Sequence, residues 1–369
     1  MCAKVLITAS GFGHIAHFHT PYLRAFRDAG WEVHVACAGE PRALDGVKTC
    51  VSVPFHKKMS SPDNFRAARL LRQLMRRERY DLVITHTSLA AFFTRLATFG
   101  VRPRPKLINM VHGYLFDDDT PFLKRQILLA AERLMARRTD LLLTMNDYDR
   151  RLAARYRLGR RMAHVPGLGV DFSAFDALEP DAGKTLRAAL GIAPESFVVF
   201  YAAEFSPRKN QALLLRALSR LPERVTLVLA GEGALREDCM ALAKDLGVGK
   251  RVLFPGFVQQ PATWFQMADA VVSSSRSEGL PFNLMEAMYA ARPVAASAVK
   301  GHTDLIRDGE NGLLFPFSDA DACAAAIARL ERDPALCAAL GAAAHRDALQ
   351  YRLERVFPLV WEQYLSLTK

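Results

Sequence analysis

Glu278 and Glu286 stand with seven residues between them in the segment Ser277-Glu278-Gly279-Leu280-Pro281-Phe282-Asn283-Leu284-Met285-Glu286-Ala287-Met288. An apolar run at 270–274 precedes the segment, and Pro281 suits the first turn of a helix, where its missing N–H goes unneeded. That places Glu278 in the loop ahead of a helix and Glu286 one to two turns inside it. The backbone amides around 280–284 then form a positive helix end, which suits a diphosphate. One carboxylate before that end and another within the helix can accept hydrogen bonds from sugar and ribose hydroxyls. The alternative is a surface helix with two ordinary glutamates, and a glutamate beside Gly279-Leu280-Pro281 argues against it.

A second cluster, Ser10-Gly11-Phe12-Gly13-His14-Ile15-Ala16, follows the first apolar run. Gly11-x-Gly13-x-x-Ala16 matches a dinucleotide fingerprint, a tight turn feeding a helix. A dehydrogenase needs an acidic residue at the end of the second strand, and Glu40 comes late for that, behind Ala38-Gly39. NAD binding is therefore not the favoured reading, and the glycines can equally let a substrate approach the backbone. His14, His17 and His19 could be taken for metal ligands. No Cys or acidic residue accompanies them, and a helix starting nearby should spread them over different faces, so no metal site is expected. His14 is expected to line a substrate cleft. Asp117-Asp118-Asp119 is expected to be a solvated loop rather than a metal or acceptor site.

The elements that must position these residues alternate from the start. Strands are expected at 5–9, 33–36, 82–85, 107–111 and 141–144, with helices at 21–29, 65–79 and 122–137 between them. A second series of strands follows at 197–202, 225–230, 252–254, 270–274 and 293–296. This order implies two parallel, doubly wound α/β domains. The expected division is an N-terminal Rossmann-like domain at 1–170, a second Rossmann-like domain at 171–350, and a C-terminal helix at 351–369 returning to the first. The Gly-, Pro- and Asp-rich stretch 166–181 is the natural linker. Ligands of open parallel sheets sit beyond the carboxyl ends of the strands, where the unusual residues lie.

Half of the 369 residues are hydrophobic, as two such domains require. No apolar stretch is long enough to span a bilayer, and Met1 leads directly into a strand-like segment, so no leader is expected. The six cysteines form no C-x-x-C pair or zinc spacing, which points to reduced thiols in a cytoplasm. The net charge of +11 is uneven: residues 1–170 hold 28 Lys and Arg against 14 Asp and Glu, and the remainder is slightly acidic. A basic first half suggests an anionic partner, and a plain solubilising surface is the other reading.

At the Glu278–Glu286 pair the sequence resembles the retaining glycosyltransferases of family 4, in their bacterial exopolysaccharide and capsule branch. The likeness runs along nearly the whole chain: His14-Ile15-x-x-Phe18-His19-x-Pro21-Tyr22, Val111-His112-Gly113-Tyr114, Val165-Pro166-Gly167-x-Gly169-Val170-Asp171, Glu204-Phe205-Ser206-x-x-Lys209-Asn210-Gln211, Gly231-Glu232-Gly233 and Gly301-His302-x-Asp304-Leu305-Ile306. The resemblance implies the GT-B fold, two Rossmann-like domains facing each other across a cleft. It implies catalytic roles for His112, Glu278 and Lys209: His112 facing the donor sugar, Glu278 holding its hydroxyls, and Lys209 acting as the diphosphate cation. It implies Glu286 as the ribose ligand and donor contacts from Gly13, His14, Arg208, Gly279, Leu280, Pro281 and Phe282, with Phe257 and Val258 near the base. Many relatives carry Arg where this chain has Glu204, so either Arg208 supplies the second cation or Lys209 and the helix amides suffice.

The function so implied is transfer of a sugar, with retention, from a nucleotide-sugar (UDP being the commonest nucleotide of such relatives) to an acceptor. A lipid-linked saccharide in cell-surface polysaccharide assembly is the expected acceptor. No cofactor, metal or nucleic acid is expected. The rival readings are a nucleotide-sugar epimerase, a silent nucleotide-sugar-binding subunit and an NAD dehydrogenase. The location is expected to be cytoplasmic, at the inner face of the cell membrane. There Arg66, Arg69, Arg72 and Arg76 recur along one side of a helix, Lys57 and Lys58 lie just upstream, and Met59 is placed to dip into a bilayer.

Overall fold

The alternating segments fold into two parallel sheets in a computed structural model that describes residues 2–118 and 120–368. The chain divides into one unit of Met1–Leu168 with Glu354–Lys369, and a second of Gly169–Leu353. In the first unit the strands are β1 (Lys4–Gly11), β2 (Glu32–Ala38), β3 (Thr49–Ser52), β4 (Leu82–His86), β5 (Lys106–Val111), β6 (Leu141–Thr144) and β7 (Arg161–His164). Its helices are α1 (Phe12–Phe18), α2 (Thr20–Asp28), α3 (Pro62–Glu78), α4 (Ser88–Ala97), α5 (Phe122–Ala136) and α6 (Asp147–Tyr156). The sheet order is β3-β2-β1-β4-β5-β6-β7, parallel throughout.

In the second unit the helices are α7 (Ser173–Asp176), α8 (Ala182–Ala189), α9 (Gln211–Leu218), α10 (Arg236–Asp245), α11 (Pro261–Met267), α12 (Phe282–Tyr289), α13 (His302–Leu305), α14 (Ala320–Arg332) and α15 (Pro334–Ala348). The strands β8 (Phe197–Ala202), β9 (Val225–Ala230), β10 (Val252–Gly256), β11 (Ala270–Ser273), β12 (Val294–Ser297) and β13 (Leu313–Phe315) stand in the order β10-β9-β8-β11-β12-β13. The last helix, α16 (Leu353–Leu365), packs in the first unit.

Both sheets share one logic. Chain order runs outward from the first strand of the unit, then reverses and runs outward on the other side, which is the Rossmann order. The central strands are buried on both faces, so they read as continuous apolar runs such as 141–144 and 270–273. The strands missed in the sequence, β3, β7 and β13, are all edge or near-terminal segments of three or four residues. β7 is largely exposed and reads Arg-Met-Ala-His, without an apolar run to betray it. The reversal points fall between β1 and β4 in the first sheet and between β8 and β11 in the second.

Candidate active site

In the second unit, the loop after β8 carries Arg208 and Lys209, and the loop after β11 carries Glu278. Because β8 and β11 are neighbours, residues 69 apart in sequence meet. Lys209 Nζ donates to Glu278 Oε1 at 2.6 Å, and the Arg208 guanidinium lies 2.7 Å from the same oxygen. The lysine and the carboxylate are largely buried, whereas the Arg208 side chain is 48 % exposed. Burial pushes the Glu278 carboxyl up, but Lys209 and Arg208 overcome it and hold the group down at about 2. Arg208 also donates to the Ser277 carbonyl, so both cations are tied to the same loop.

The run Ser273-Ser274-Ser275 fixes this cluster, although nothing in the sequence marked it. Ser274 Oγ donates to the carbonyls of Lys209 and Asn210, and Ser275 Oγ pairs with the buried Tyr201 hydroxyl at 2.9 Å. His302 bridges the ends of β11 and β12 by contacts to Ser273 Oγ and the Ser297 carbonyl. Gly301 is confined on both counts that matter: φ is +82°, and a Cβ would lie 2.7 Å from the Gly279 carbonyl oxygen and 2.9 Å from Glu278 Cβ.

Pro281 stands in the cap position just before α12, one residue ahead of the first turn where the sequence placed it, and offers no side-chain cap. Leu280 and Pro281 are buried, and Gly279 and Phe282 partly so. Glu286 lies just over one turn into α12. Glu286 is partly buried, and burial pushes its carboxyl up to about 8. No described side chain compensates it, so the carboxyl keeps its proton at neutral pH. Phe257 and Val258 follow β10 on the far side of the same sheet, with Phe257 exposed. Glu204 is also exposed, outside the Lys209–Glu278 contact.

In the first unit, the loops after β1, β4 and β5 bring four histidines together. His14 lies in α1, His19 at the junction of α1 and α2, His86 at the end of β4 and His112 just beyond β5. Ring centroids of His14 and His112 are 4.9 Å apart, and those of His19 and His86 are 3.9 Å apart. His86 Nδ1 lies 3.1 Å from His112 Nε2. This corrects the expectation that His14 and His19 would diverge. α1 ends at Phe18, and the break at His19 turns its ring back toward His14, whereas His17 faces solvent. Burial lowers all four: His14 to about 4, and His19, His86 and His112 well below the usual range, helped by their neighbouring imidazoles where these lie close. Thr87, beside His86, has φ +61°, a rare value for a β-branched residue, and its Oγ1 accepts from the Ser10 amide.

Gly13 lies in α1 with ordinary φ, and beyond its own helix the Arg42 guanidinium, 3.8 Å away, is the one group among the described residues within 4 Å of where its Cβ would be. The 10–16 segment is thus open to approach without being a strained turn. Of the acidic run, Asp118 pairs with Arg125 and Asp117 with Thr120; Asp119 lies outside the described residues. On α3, Arg72 donates to the carbonyls of Leu96 and Ala97, Arg76 to that of Gly100, and Met59 packs against the first-unit core. These contacts tie Arg72 and Arg76 to neighbouring carbonyls and hold the partly buried Met59 against the core. Arg66, Arg69 and Arg76 remain exposed, with Arg66 paired to Asp63.

Known proteins match both units. Residues 183–347 match the family model for glycosyl transferases group 1, and residues 22–173 match that for glycosyltransferase family 4. EpsD of Bacillus subtilis (strain 168), which bears a glycosyltransferase name, is 34% identical over 95% of this chain and 93% of its own. An Escherichia coli protein named UDP-Gal:alpha-D-GlcNAc-diphosphoundecaprenol alpha-1,3-galactosyltransferase is 26% identical, covering 72% of this chain and 70% of its own. In fold, the chain is similar to Anabaena HepE, solved with UDP and glucose, at a TM-score of 0.82 and 21% identity over 99% of this chain and 100% of that one.

Proposed function

The chain belongs to the group 1 and family 4 glycosyltransferases, a transferase built of two Rossmann-like domains in the GT-B fold, and from that premise we propose that it moves a sugar from a UDP-sugar to a lipid-linked saccharide with retention of configuration. The observation that carries this reading is the Lys209–Glu278–Arg208 cluster beside the start of α12, with Glu286 uncompensated one turn further on. A nucleoside diphosphate gains negative charge as the glycosidic bond breaks, and Lys209, Arg208 and the helix end answer that charge. Glu278, kept ionised, is suited to accept hydrogen bonds from the sugar hydroxyls; Glu286 is suited to the ribose, and the residues around Phe257 to the base.

The acceptor oxygen attacks from the face the diphosphate leaves, and the departing phosphate oxygen takes its proton. His112 is assigned to the donor sugar on the family resemblance, with His86 orienting its ring. With these cations the diphosphate needs no metal. UDP is supported by the ligand of HepE, and the lipid-linked acceptor by the name of the Escherichia coli relative.

No described helix is long and apolar enough to cross a membrane. We place the enzyme's membrane contact, at the cytoplasmic face, on α5. Its buried side is held by a bidentate pair between Arg95 and Glu132, both distances 2.9 Å. Its outer side shows Phe122, Leu123, Ile127 and Leu134, with Phe122 77 % exposed, among Lys124, Arg133 and Arg137. Apolar side chains flanked by cations match an anionic bilayer surface.

The test is a thermal-shift panel of UDP-, GDP- and ADP-sugars, followed by product analysis of the stabilising donor with and without a lipid-linked saccharide. Product whose anomeric configuration matches the donor, formed only with acceptor, is expected. A new free sugar formed from donor alone identifies an epimerase or hydrolase instead, and donor binding without turnover identifies a silent subunit.

A further inference from the structure

We propose that His14, His19 and His112 form a binding site for a late first-row divalent metal ion, with Zn2+ as the representative ligand. One ring nitrogen from each of the three lies within 4.8 Å of the other two. Three imidazoles on a tetrahedral zinc, with Zn–N of about 2.05 Å, place their nitrogens roughly 3.3 Å apart, so side-chain shifts of about 1 Å complete the site. The ring of His112 is already held by His86 through the 3.1 Å contact, the kind of outer partner that orients a ligating histidine.

A second observation is independent of the spacing. Nε2 of His14 and Nε2 of His19 are both buried and have no hydrogen-bond partner among the described residues. A buried polar nitrogen without a partner is destabilising, and two side by side call for a shared partner. His19 and His86 are buried while His14 and His112 keep some exposure, which leaves an open side for entry and for a fourth, water ligand.

The donor set fixes the class of ion. Imidazole alone suits Zn2+, Co2+, Ni2+ and Cu2+, whereas Mg2+ and Ca2+ require oxygen ligands. The other clustered group, Glu32, His34 and Glu78, is different in kind, because its carboxylates are already paired with Lys4 and Lys48.

Two of the three histidines, His14 and His112, also serve the proposed transfer reaction, so metal and donor compete for them. The experiment titrates chelator-treated, full-length protein with Zn2+ by calorimetry and with Co2+ by visible absorption. One Zn2+ per chain is expected, together with a Co2+ spectrum of tetrahedral rather than octahedral type, and no binding of Mg2+. His14→Ala, at the partly exposed ligand, and His19→Gln should each weaken Zn2+ binding by more than about 100-fold. Circular dichroism of the metal-free variants checks that they fold, and His14→Ala with the wild type decides the matter if His19→Gln does not. Absence of saturable Zn2+ binding in the folded wild type, or binding that survives His14→Ala, overturns the proposal. Zn2+ should also inhibit transfer, since it draws on His112. Stoichiometric binding without inhibition supports the site and counts against the assignment of His112 to the donor sugar.

Discussion

Glu278 and Glu286 show how one helix and its loop give two carboxylates opposite chemistry. Two cations keep Glu278 ionised, while burial without compensation raises Glu286 to about 8 from its ordinary 4.5. Between those two values the unfolded chain has released the Glu286 proton and the folded chain retains it, so this group makes stability fall as pH rises from about 4.5 to about 8. Glu286→Gln should remove that dependence and, at pH 9, exceed the wild type in urea denaturation by about 1–3 kcal/mol, the opening to solvent limiting the gain. Ribose hydroxyls favour the ionised form, so wild-type affinity for a nucleoside diphosphate should rise with pH toward 8, and Glu286→Ala should weaken it throughout. Calorimetry showing unchanged affinity in Glu286→Ala would remove the residue from the ribose. Lys209→Ala should lower turnover more than donor affinity, because charge on the diphosphate grows toward the transition state. It should also cost about 2 kcal/mol of stability, since Glu278 then depends on the more exposed Arg208 alone. Equal losses in turnover and affinity would make Arg208 the working cation, which a double-mutant cycle measures directly.

Elements convert these residues into a site by holding loops at fixed spacing. The Gly301 turn at the start of α13 packs directly on the Glu278–Gly279 loop. Gly301→Ala should therefore cost about 1–3 kcal/mol and abolish most donor affinity without any change of charge. Retained affinity, measured by nucleotide titration, would show that the loop position is not critical. On α5 the apolar outer face makes a separate prediction. The protein should sediment with anionic but not zwitterionic vesicles, with binding weakened by salt, and Leu123→Glu with Ile127→Glu should release it. Binding that survives those changes and is lost in Arg66→Gln with Arg69→Gln would shift the contact to α3.

At the scale of the molecule, the last helix repairs the first unit. α16 brings Phe357 against Tyr22 at 5.0 Å between ring centroids, Trp361 against Phe26 at 4.7 Å, and a fully buried Tyr364 whose hydroxyl reaches Met110 Sδ. Ending the chain at Leu353 should uncover these rings and lower the melting of the first unit well below that of the second. Calorimetry should resolve one transition in the whole protein shifting into two, with the surviving high-temperature transition still raised by UDP. A single transition at the wild-type temperature would show that α16 contributes nothing.

Much of this was present in the sequence because it is local. Strands such as 141–144, 197–202 and 225–230 declare themselves by largely apolar runs, since a parallel sheet buries both faces of its central strands. The Glu278–Glu286 segment declares its chemistry because a loop, a proline and a helix are contiguous. Edge strands β3 and β7 carry no such signal, and β13, although apolar, is only three residues long. The tertiary structure alone decided what is non-local. Lys209 meets Glu278 only because β8 and β11 are sheet neighbours, and His14, His86 and His112 meet only because β1, β4 and β5 are. His19 joins them because α1 breaks after Phe18, against the helical periodicity that would have turned its ring away from His14. In a doubly wound sheet, neighbouring strands at the reversal point are far apart in the chain, so residues at their ends acquire partners that no spacing along the sequence reveals.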